Sequence, residues 1–296
     1  MSVSHISTIC KRNCAGIVFF DAGTVNRMCL QDKKIFSSWS GGKDSCLALY
    51  KAMQSGGRAV YLLTMMTEQG QRSRSHGLHR SIIEAQAAAL SLPFMVFSAS
   101  WDAYEEHFVS ALGELKDFGI TDGIFGDIDL EPHREWVEKV CARQNMAPHL
   151  PLWQQERRTL LADFINAGFA AIIVAVNNDR LDNAFLGRTL DWQTIDDLEK
   201  AGVDACGEEG EYHTVVTDGP IFSQPLILQH GDVISHDGYS FLNVTLTPIP
   251  ACGNNEISTP QWGTLFSPPL RGINSDFEHE SSAPVLRFGR QINFHR

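Results

Sequence analysis

Six consecutive residues near the start of the chain have the types and spacing of an anion-binding loop. They are Ser40, Gly41, Gly42, Lys43, Asp44 and Ser45. Adjacent glycines let backbone N–H groups converge on an oxyanion, and the free amides of a helix N-terminus add partial positive charge. The hydroxyls and the lysine can donate further hydrogen bonds. The motif therefore predicts a phosphate site, with a plain Gly-Gly turn as the alternative that composition alone leaves open.

A second group of chemically active residues lies between Gly207 and Thr214. It contains three carboxylates, a phenol and an imidazole, which belong to Glu208, Glu209, Glu211, Tyr212 and His213. Such a set can hold a metal ion or an ammonium group, and it can deprotonate an amine. An acidic surface loop is the simpler alternative. The bracketing glycines and apolar neighbours favour a binding site.

The elements around these motifs alternate between strand and helix. Strand patterns cover residues 35–39, 59–65, 94–98, 123–127 and 170–176, and helical patterns cover residues 46–53, 78–92, 103–118, 132–144 and 156–167. This alternation predicts a parallel, doubly wound α/β sheet with ligands beyond the carboxyl ends of its strands. The six-residue loop follows the first strand. Asp127 ends the fourth, so we expect it at the same edge, touching magnesium or the nucleotide, with a helix or turn cap as the alternative.

The pattern changes after residue 203. Alternating segments at 225–229 and 240–246, separated by pairs such as Gly231-Asp232 and Asp237-Gly238, predict antiparallel strands. We therefore expect an N-terminal extension at 1–33, a domain at 34–203 that carries the phosphate loop, a smaller α+β substrate-binding part at 204–250, and a poorly ordered tail at 251–296.

Composition limits the partners. A chain of 296 residues with 43% hydrophobic content can bury a full core. Its net charge of -11 disfavours nucleic acid as a partner. The seven cysteines include no C-x-x-C pair, which argues against zinc and favours reduced thiols. Since no apolar run reaches the length of a membrane helix and no signal peptide is visible, we expect a cytoplasmic protein with no membrane contact.

The two motifs together resemble a known family. The loop resembles the PP-loop, the SGG-x-D-S signature of the N-type ATP pyrophosphatases, whose fold is like that of the adenine nucleotide alpha hydrolases. The acidic group resembles the G-E-x-G-E-[FY]-x-T signature of the diphthine ammonia ligase family. Further agreement comes from Pro151-Leu152-Trp153, Leu186-Gly187-Arg188 and Gly219-Pro220, so the resemblance covers about residues 34–230. One position departs from it, because His213 stands where the family's pattern usually has a glutamate.

The resemblance implies a reaction. In that family ATP adenylates the carboxylate of diphthine, a modified histidine on translation elongation factor 2, and ammonia then displaces AMP to leave an amide. The implied cofactors are ATP and Mg²⁺, and the implied partners are ammonia and a carboxylate acceptor such as a modified protein side chain. A homodimer is left open.

Carried over to this chain, the resemblance and the motifs assign four sets of residues. The nucleotide set is Ser40, Gly41, Gly42, Lys43, Asp44, Ser45 and Asp127. The catalytic set is Asp44, Glu208 and Glu211. The substrate set is Glu208, Glu211, Tyr212 and His213. The metal ligand is Asp44.

Three other functions stay open on the sequence. The first is a PP-loop enzyme that modifies tRNA, against which the net charge and the missing C-x-x-C pair count. The second is a ligase of the same family that acts on a small acid, for example in cobalamin salvage. The third is a nucleotide-binding sensor without catalysis. A basic cluster at residues 72–80, which includes Arg72, Arg74 and His76, could meet a phosphate or an acidic substrate, or it could be a solvated loop.

Overall fold

The fold is built on a five-stranded parallel sheet. The structure, a computed structural model, describes residues 30–74 and 76–247, so the expected tail and nearly all of the expected N-terminal extension lie outside the described residues. The strands are β1 (Lys34–Ser38), β2 (Arg58–Met66), β3 (Phe94–Ser98), β4 (Asp122–Ile124) and β5 (Ala147–His149). They pair in the order β3-β2-β1-β4-β5, and every pairing is parallel. The predicted α/β fold class is confirmed.

Helices cover both faces of this sheet. They are α1 (Lys43–Gln54), α2 (Arg80–Leu90), α3 (Tyr104–Asp117), α4 (Glu131–Arg143), α5 (Arg157–Asn166) and α6 (Trp192–Lys200), with a 3₁₀ turn at Asn183–Phe185. Successive residues of β1 show the division: Ile35 packs in the core with α1 and α2, and Phe36 packs in the core with α3 and α4. No helix among the described residues is long and apolar enough to span a membrane.

A second, antiparallel sheet packs beside the first. It contains β6 (Ala170–Asn177), β7 (Tyr212–Asp218), β8 (Leu228–His236) and β9 (Tyr239–Leu246) in the order β7-β6-β9-β8. The expectation that residues 170–176 complete the parallel sheet is wrong, because β6 pairs antiparallel with β7 and β9. A continuous apolar run indicates burial on both faces, but it does not identify the strands that pair with it.

Turn chemistry positions the β8–β9 hairpin. Asp237 and Gly238 both have positive φ, of 49° and 81°, as a type I′ turn requires. The pair Gly231-Asp232, predicted to end a strand, instead lies at a register shift between His230 and Val233, so β8 is longer than predicted. The hairpin carries Tyr239 to the same cleft as the six-residue loop.

Candidate active site

The six-residue loop joins β1 to α1 beside β4, where the strand order of the sheet reverses. Gly41 has a φ of +84°, and a Cβ there would lie 2.7 Å from Gln86 Oε1, so only glycine fits. Behind the loop, a Cβ on Gly126 would lie 2.9 Å from the backbone nitrogen of Ser45. The chain after β4 therefore passes directly against the first turn of α1. This is the place where the strand order reverses, and ligands of open α/β sheets bind at such a position.

Strand β7 of the second sheet holds the loop in shape. The Lys43 N–H donates to Thr214 Oγ1 at 3.0 Å, and the Val216 N–H donates to Gly41 O at 2.9 Å. The fully buried amide of Gln86 donates to both Gly41 O and Val216 O. Because the acidic motif leads into β7, these bonds join the two sequence motifs into one site.

The same bonds limit which groups of the loop can donate to a phosphate. The Lys43 N–H is already bonded to β7, and the Gly42 N–H donates to Ser40 Oγ at 3.3 Å. The hydroxyls of Ser40 and Ser45 lie 3.1 Å apart on the wall of the cleft. The first-turn amides of Asp44 and Ser45 have no acceptor within the helix. The Ser45 hydroxyl donates to Gly42 O at 3.1 Å, so it must turn away from that carbonyl to bind an anion. The donors best placed for an anion are therefore the two amides, followed by the two hydroxyls.

A buried charge cluster lies next to the loop. Lys43 Nζ is 2.7 Å from Asp44 Oδ2, 3.9 Å from Glu208 Oε1 and 5.8 Å from the centre of the Tyr212 ring. Burial alone would lower the pKa of Lys43, but Asp44 and the other ionisable neighbours hold it well above its usual value. Burial, and after it the charge of Asp44, raises the pKa of Glu208 to about 8. Glu208 can therefore bind or release a proton close to neutral pH.

All of these groups face a single open cleft of about 920 Å³. Its wall combines the loop, the ends of β2 and β4, the segment after β3, the acidic motif and β9. This volume is at the upper end of the range for small-molecule sites.

The remaining predicted residues divide between the cleft and its support. Asp127 lies on the wall, 3.3 Å from His133 Nδ1. The Tyr212 ring also lies on the wall, while its hydroxyl donates to Ala205 O at 2.6 Å. Glu211 is off the wall and 1% exposed. Its carboxylate accepts the Glu209 N–H at 3.0 Å and lies 3.3 Å from Arg180. This position does not fit the expected contact of Glu211 with substrate, because the carboxylate shapes the turn instead.

Two histidines form part of the cleft wall: His213, which the acidic motif contains, and His76, which belongs to the basic cluster at residues 72–80. His76 Nδ1 donates to Thr214 O at 2.7 Å, and a Cβ on Gly42 would lie 2.1 Å from its ring. The rings of His76 and His213 are 4.8 Å apart. Burial lowers the pKa of His76, and burial with the nearby His76 places the pKa of His213 well below its usual value. Both rings are therefore neutral at pH 7, and the carbonyl acceptor fixes the proton of His76 on Nδ1.

The donor set fits a magnesium ion in part. One ligand atom each from Asp44, Cys206 and Glu208 lies within 4.8 Å of the others. Magnesium prefers oxygen and is usually held by one or two carboxylates together with substrate phosphates. Burial raises the pKa of the Cys206 thiol to about 12, and a sulfur atom does not suit an ion that prefers oxygen ligands. Asp44 is the suitable protein ligand.

These features define the class of protein. A parallel sheet of order 3-2-1-4-5, with an SGGKDS loop after its central strand and carboxylates across the cleft, is that of a PP-loop nucleotide-binding protein.

Comparisons with known proteins identify the family within that class. The family model for the diphthamide synthase N-terminal domain matches residues 33–148, and the model for its C-terminal domain matches residues 156–245. The diphthine–ammonia ligase of Homo sapiens is 30% identical over 230 residues, which cover 69% of this chain and 86% of that protein. The diphthine–ammonia ligase of Bos taurus is also 30% identical, over 232 residues, with the same coverage. The chain therefore belongs to the diphthamide synthase family, as its motifs predicted, and is an enzyme of the ligase class that forms a carbon–nitrogen bond.

A solved structure from Methanocaldococcus jannaschii, described as a predicted subunit of tRNA methyltransferase, covers 62% of this chain and 96% of its own, at 17% identity and a TM-score of 0.36. That likeness is too weak to add to the assignment.

Proposed function

We propose that this enzyme uses ATP to adenylate the carboxylate of diphthine and then forms the amide with ammonia, releasing pyrophosphate and AMP. The observation that carries the proposal is the hydrogen-bonded junction between loop and acidic motif, Lys43 N–H to Thr214 Oγ1 and Val216 N–H to Gly41 O. It brings the glycine-rich loop and a carboxylate of raised pKa, that of Glu208, to one cleft. The names of the relatives support diphthine and ammonia as the substrates.

In the first step an acceptor carboxylate oxygen attacks the α-phosphorus of ATP, and the bond to the β-phosphate oxygen breaks. Negative charge accumulates on the departing pyrophosphate. The hydroxyls of Ser40 and Ser45 and the first-turn amides of α1 bind that charge, and their fixed positions lower the barrier. Asp44 would hold magnesium, which when bound neutralises phosphate charge.

In the second step ammonia attacks the acyl carbon, AMP leaves, and the nitrogen loses a proton. Glu208 accepts that proton. Its pKa of about 8 suits this role, because the carboxylate is partly ionised at neutral pH yet basic enough to capture a proton. Glu211, off the wall, positions Glu208 through the turn it shapes.

The test is a product analysis. The enzyme is incubated with ATP labelled at the α- and γ-phosphates, magnesium, ammonium chloride and elongation factor 2 that carries diphthine. We expect AMP and pyrophosphate in equal amounts, with conversion of the carboxylate to an amide by mass spectrometry. ADP and orthophosphate would contradict adenylation.

Parallel incubations test the other acceptors. A panel of small carboxylic acids and bulk tRNA replaces the diphthine protein, and the same products are scored. AMP that depends on one of these acceptors but not on diphthine would move the assignment to the corresponding reaction.

A further inference from the structure

Arg74 stands out among the residues that line the cleft. It follows β2, and its segment is fastened to the end of that strand by the Met66–Ser73 bridge and by the Arg74 N–H, which donates to Met65 O at 3.1 Å. The guanidinium lies over the Trp101 ring, with Cζ 4.5 Å from the ring centre. Both side chains are on the wall. The guanidinium is therefore held in place before any ligand arrives.

No carboxylate of the described residues forms an ion pair with this guanidinium. Burial lowers the pKa of Arg74, and the charge of Glu68, which lies beyond ion-pair distance, opposes that shift. Of the two permanently charged cations on the wall, Lys43 is bonded to Asp44. Arg74 has no carboxylate within 4.0 Å among the residues that the structure describes. Its one donated hydrogen bond goes to Ala99 O, and its buried Nε–H has no partner in the same part of the chain. Partial burial of an unpaired cation costs free energy, which an anionic ligand would recover.

Neighbouring groups make this end of the cleft suitable for a carboxylate. Burial raises the pKa of Tyr104, also on the wall, to about 12, so its phenol stays protonated and can donate. His76 and His213 are neutral, so they neither attract nor repel an anion. Of the carboxylates on the wall, those of Asp44 and Glu208 lie at the loop, with Lys43. Asp127, whose charge also acts on Tyr104, lies 3.3 Å from His133 Nδ1, and Asp237 lies 3.4 Å from His236 Nε2.

We propose that Arg74, stacked on Trp101, is the specificity-determining residue that binds the acceptor's carboxylate and presents it to ATP. This inference rests on the proposed function, since it names the contact for the acceptor of that reaction. Arginine suits the role because its fork can bond both carboxylate oxygens at once. When the acid becomes an acyl-adenylate, its carboxylate loses its negative charge. The contact with Arg74 therefore favours binding of the acid over binding of the acyl group of the intermediate.

Binding measurements test the contact without requiring turnover. Calorimetric titrations use three probes: elongation factor 2 carrying diphthine, the same protein with that carboxylate as its methyl ester, and a non-hydrolysable ATP analogue. Each is titrated into wild type, Arg74→Gln and the control Arg143→Gln, whose exposed side chain pairs with Glu106 away from the cleft. We expect Arg74→Gln to weaken binding of the acid about 10- to 100-fold, as loss of a charge-assisted contact does. Arg143→Gln should leave it unchanged.

The ester gives a second prediction. Wild type should bind the ester about as weakly as Arg74→Gln binds the acid, and Arg74→Gln should bind both forms equally. The ATP analogue should bind wild type and Arg74→Gln within about twofold. Arg74→Lys should recover part of the affinity for the acid, since it restores charge without the fork.

Each contrary result has one meaning. Weaker binding of the ATP analogue to Arg74→Gln, with binding of the acid unaffected, would overturn the inference, because it would show that Arg74 binds the nucleotide instead. Equal affinity of wild type and Arg74→Gln for the acid would also overturn it. Arg74-dependent binding of the acid in an enzyme that releases no AMP would sustain the contact and contradict the proposed reaction instead.

Discussion

Two buried charge clusters lie at opposite edges of the parallel sheet, and they are built from the same kinds of residue with opposite results. At the carboxyl edge, Lys43, Asp44 and Glu208 surround the loop. At the amino edge, Asp122 accepts hydrogen bonds from Lys33 at 2.6 Å and from His149 at 2.8 Å. One cluster has an acid of raised pKa and the other an acid of lowered pKa.

The difference lies in hydrogen bonding. Burial would raise the pKa of Asp122, but bonds from His149, Lys33 and Thr121 lower it to about 2. No hydrogen bond to the Glu208 carboxylate is present among the described residues, and its nearest cation is shared with Asp44. The amino edge therefore stabilises the fold, while the carboxyl edge keeps an unsatisfied acid that is available for chemistry at a cost in stability.

The largest effect should follow from Asp44→Asn. Loss of this carboxylate removes the partner of Lys43 and the proposed magnesium ligand, so kcat/KM for acceptor-dependent AMP release should fall about 10²- to 10³-fold. Steady-state kinetics measure it. The matched control is Asp122→Asn, which should retain the wild-type rate because it lies at the other edge. If kcat/KM of Asp44→Asn lies within twofold of the wild-type value, the carboxyl edge of the sheet is not the active site.

Glu208→Gln should lower amide formation about 10²-fold, since a general base is lost. It should also raise stability. The folded pKa of Glu208, about 8, lies above the ordinary 4.5, so the cost of ionising it in the fold grows as pH rises from 4.5 to 8. Glutamine never ionises.

Thermal unfolding checks the sign of that second effect. The melting temperature of Glu208→Gln, relative to wild type, should increase between pH 6 and pH 9. A difference that stays constant with pH would mean that Glu208 is not destabilised by its surroundings.

Gly42→Ala should weaken ATP binding about 10- to 100-fold, because the new Cβ would lie 2.1 Å from the His76 ring and would force the loop out of shape. Calorimetry with an ATP analogue measures it, and Gly42→Ala combined with His76→Ala should recover affinity. Gly113→Ala, in α3 with its nearest contact at 3.5 Å, is the control. If the double variant binds as weakly as Gly42→Ala, the clash is not the cause.

Asp122→Asn should have the smallest effect on activity and should destabilise the fold by about 1–3 kcal/mol at pH 7. The folded pKa of about 2 lies below the ordinary 3.8, so the contribution is fully present above pH 4 and is lost as pH falls towards 2. Denaturant unfolding at pH 7 and pH 2.5 measures the difference. If the free energies of unfolding of Asp122→Asn and wild type differ by as much at pH 2.5 as at pH 7, the ionised Asp122 carboxylate is not the source of the stabilisation.

The sequence predicted the features that depend on local chemistry. The strand, loop and helix around Gly41 and Gly42 follow from residues close together in the chain, and so does the turn at Asp237-Gly238. The three-residue strand β5 was missed because it is too short to show a period and contains Pro148.

Features that depend on distant partners were not predictable in the same way. Glu208 and Glu211 belong to one motif, yet only Glu208 reaches the cleft, because the turns at Gly207 and Gly210 and the anchored Tyr212 hydroxyl direct the two side chains differently. His76 reaches the loop only because its segment folds back on β2. A single sequence shows neither the direction of these side chains nor the contact between the His76 segment and β2.

The most direct test of the account is isotopic exchange between pyrophosphate and ATP with ammonia withheld. If the site at the carboxyl edge of the sheet catalyses adenylation of the acceptor, labelled pyrophosphate should enter ATP only when the diphthine-bearing protein is present. The exchange should persist in Asp122→Asn and be lost in Asp44→Asn. Amide formation in the presence of ammonia, without any such exchange and with ADP as the nucleotide product, would contradict it.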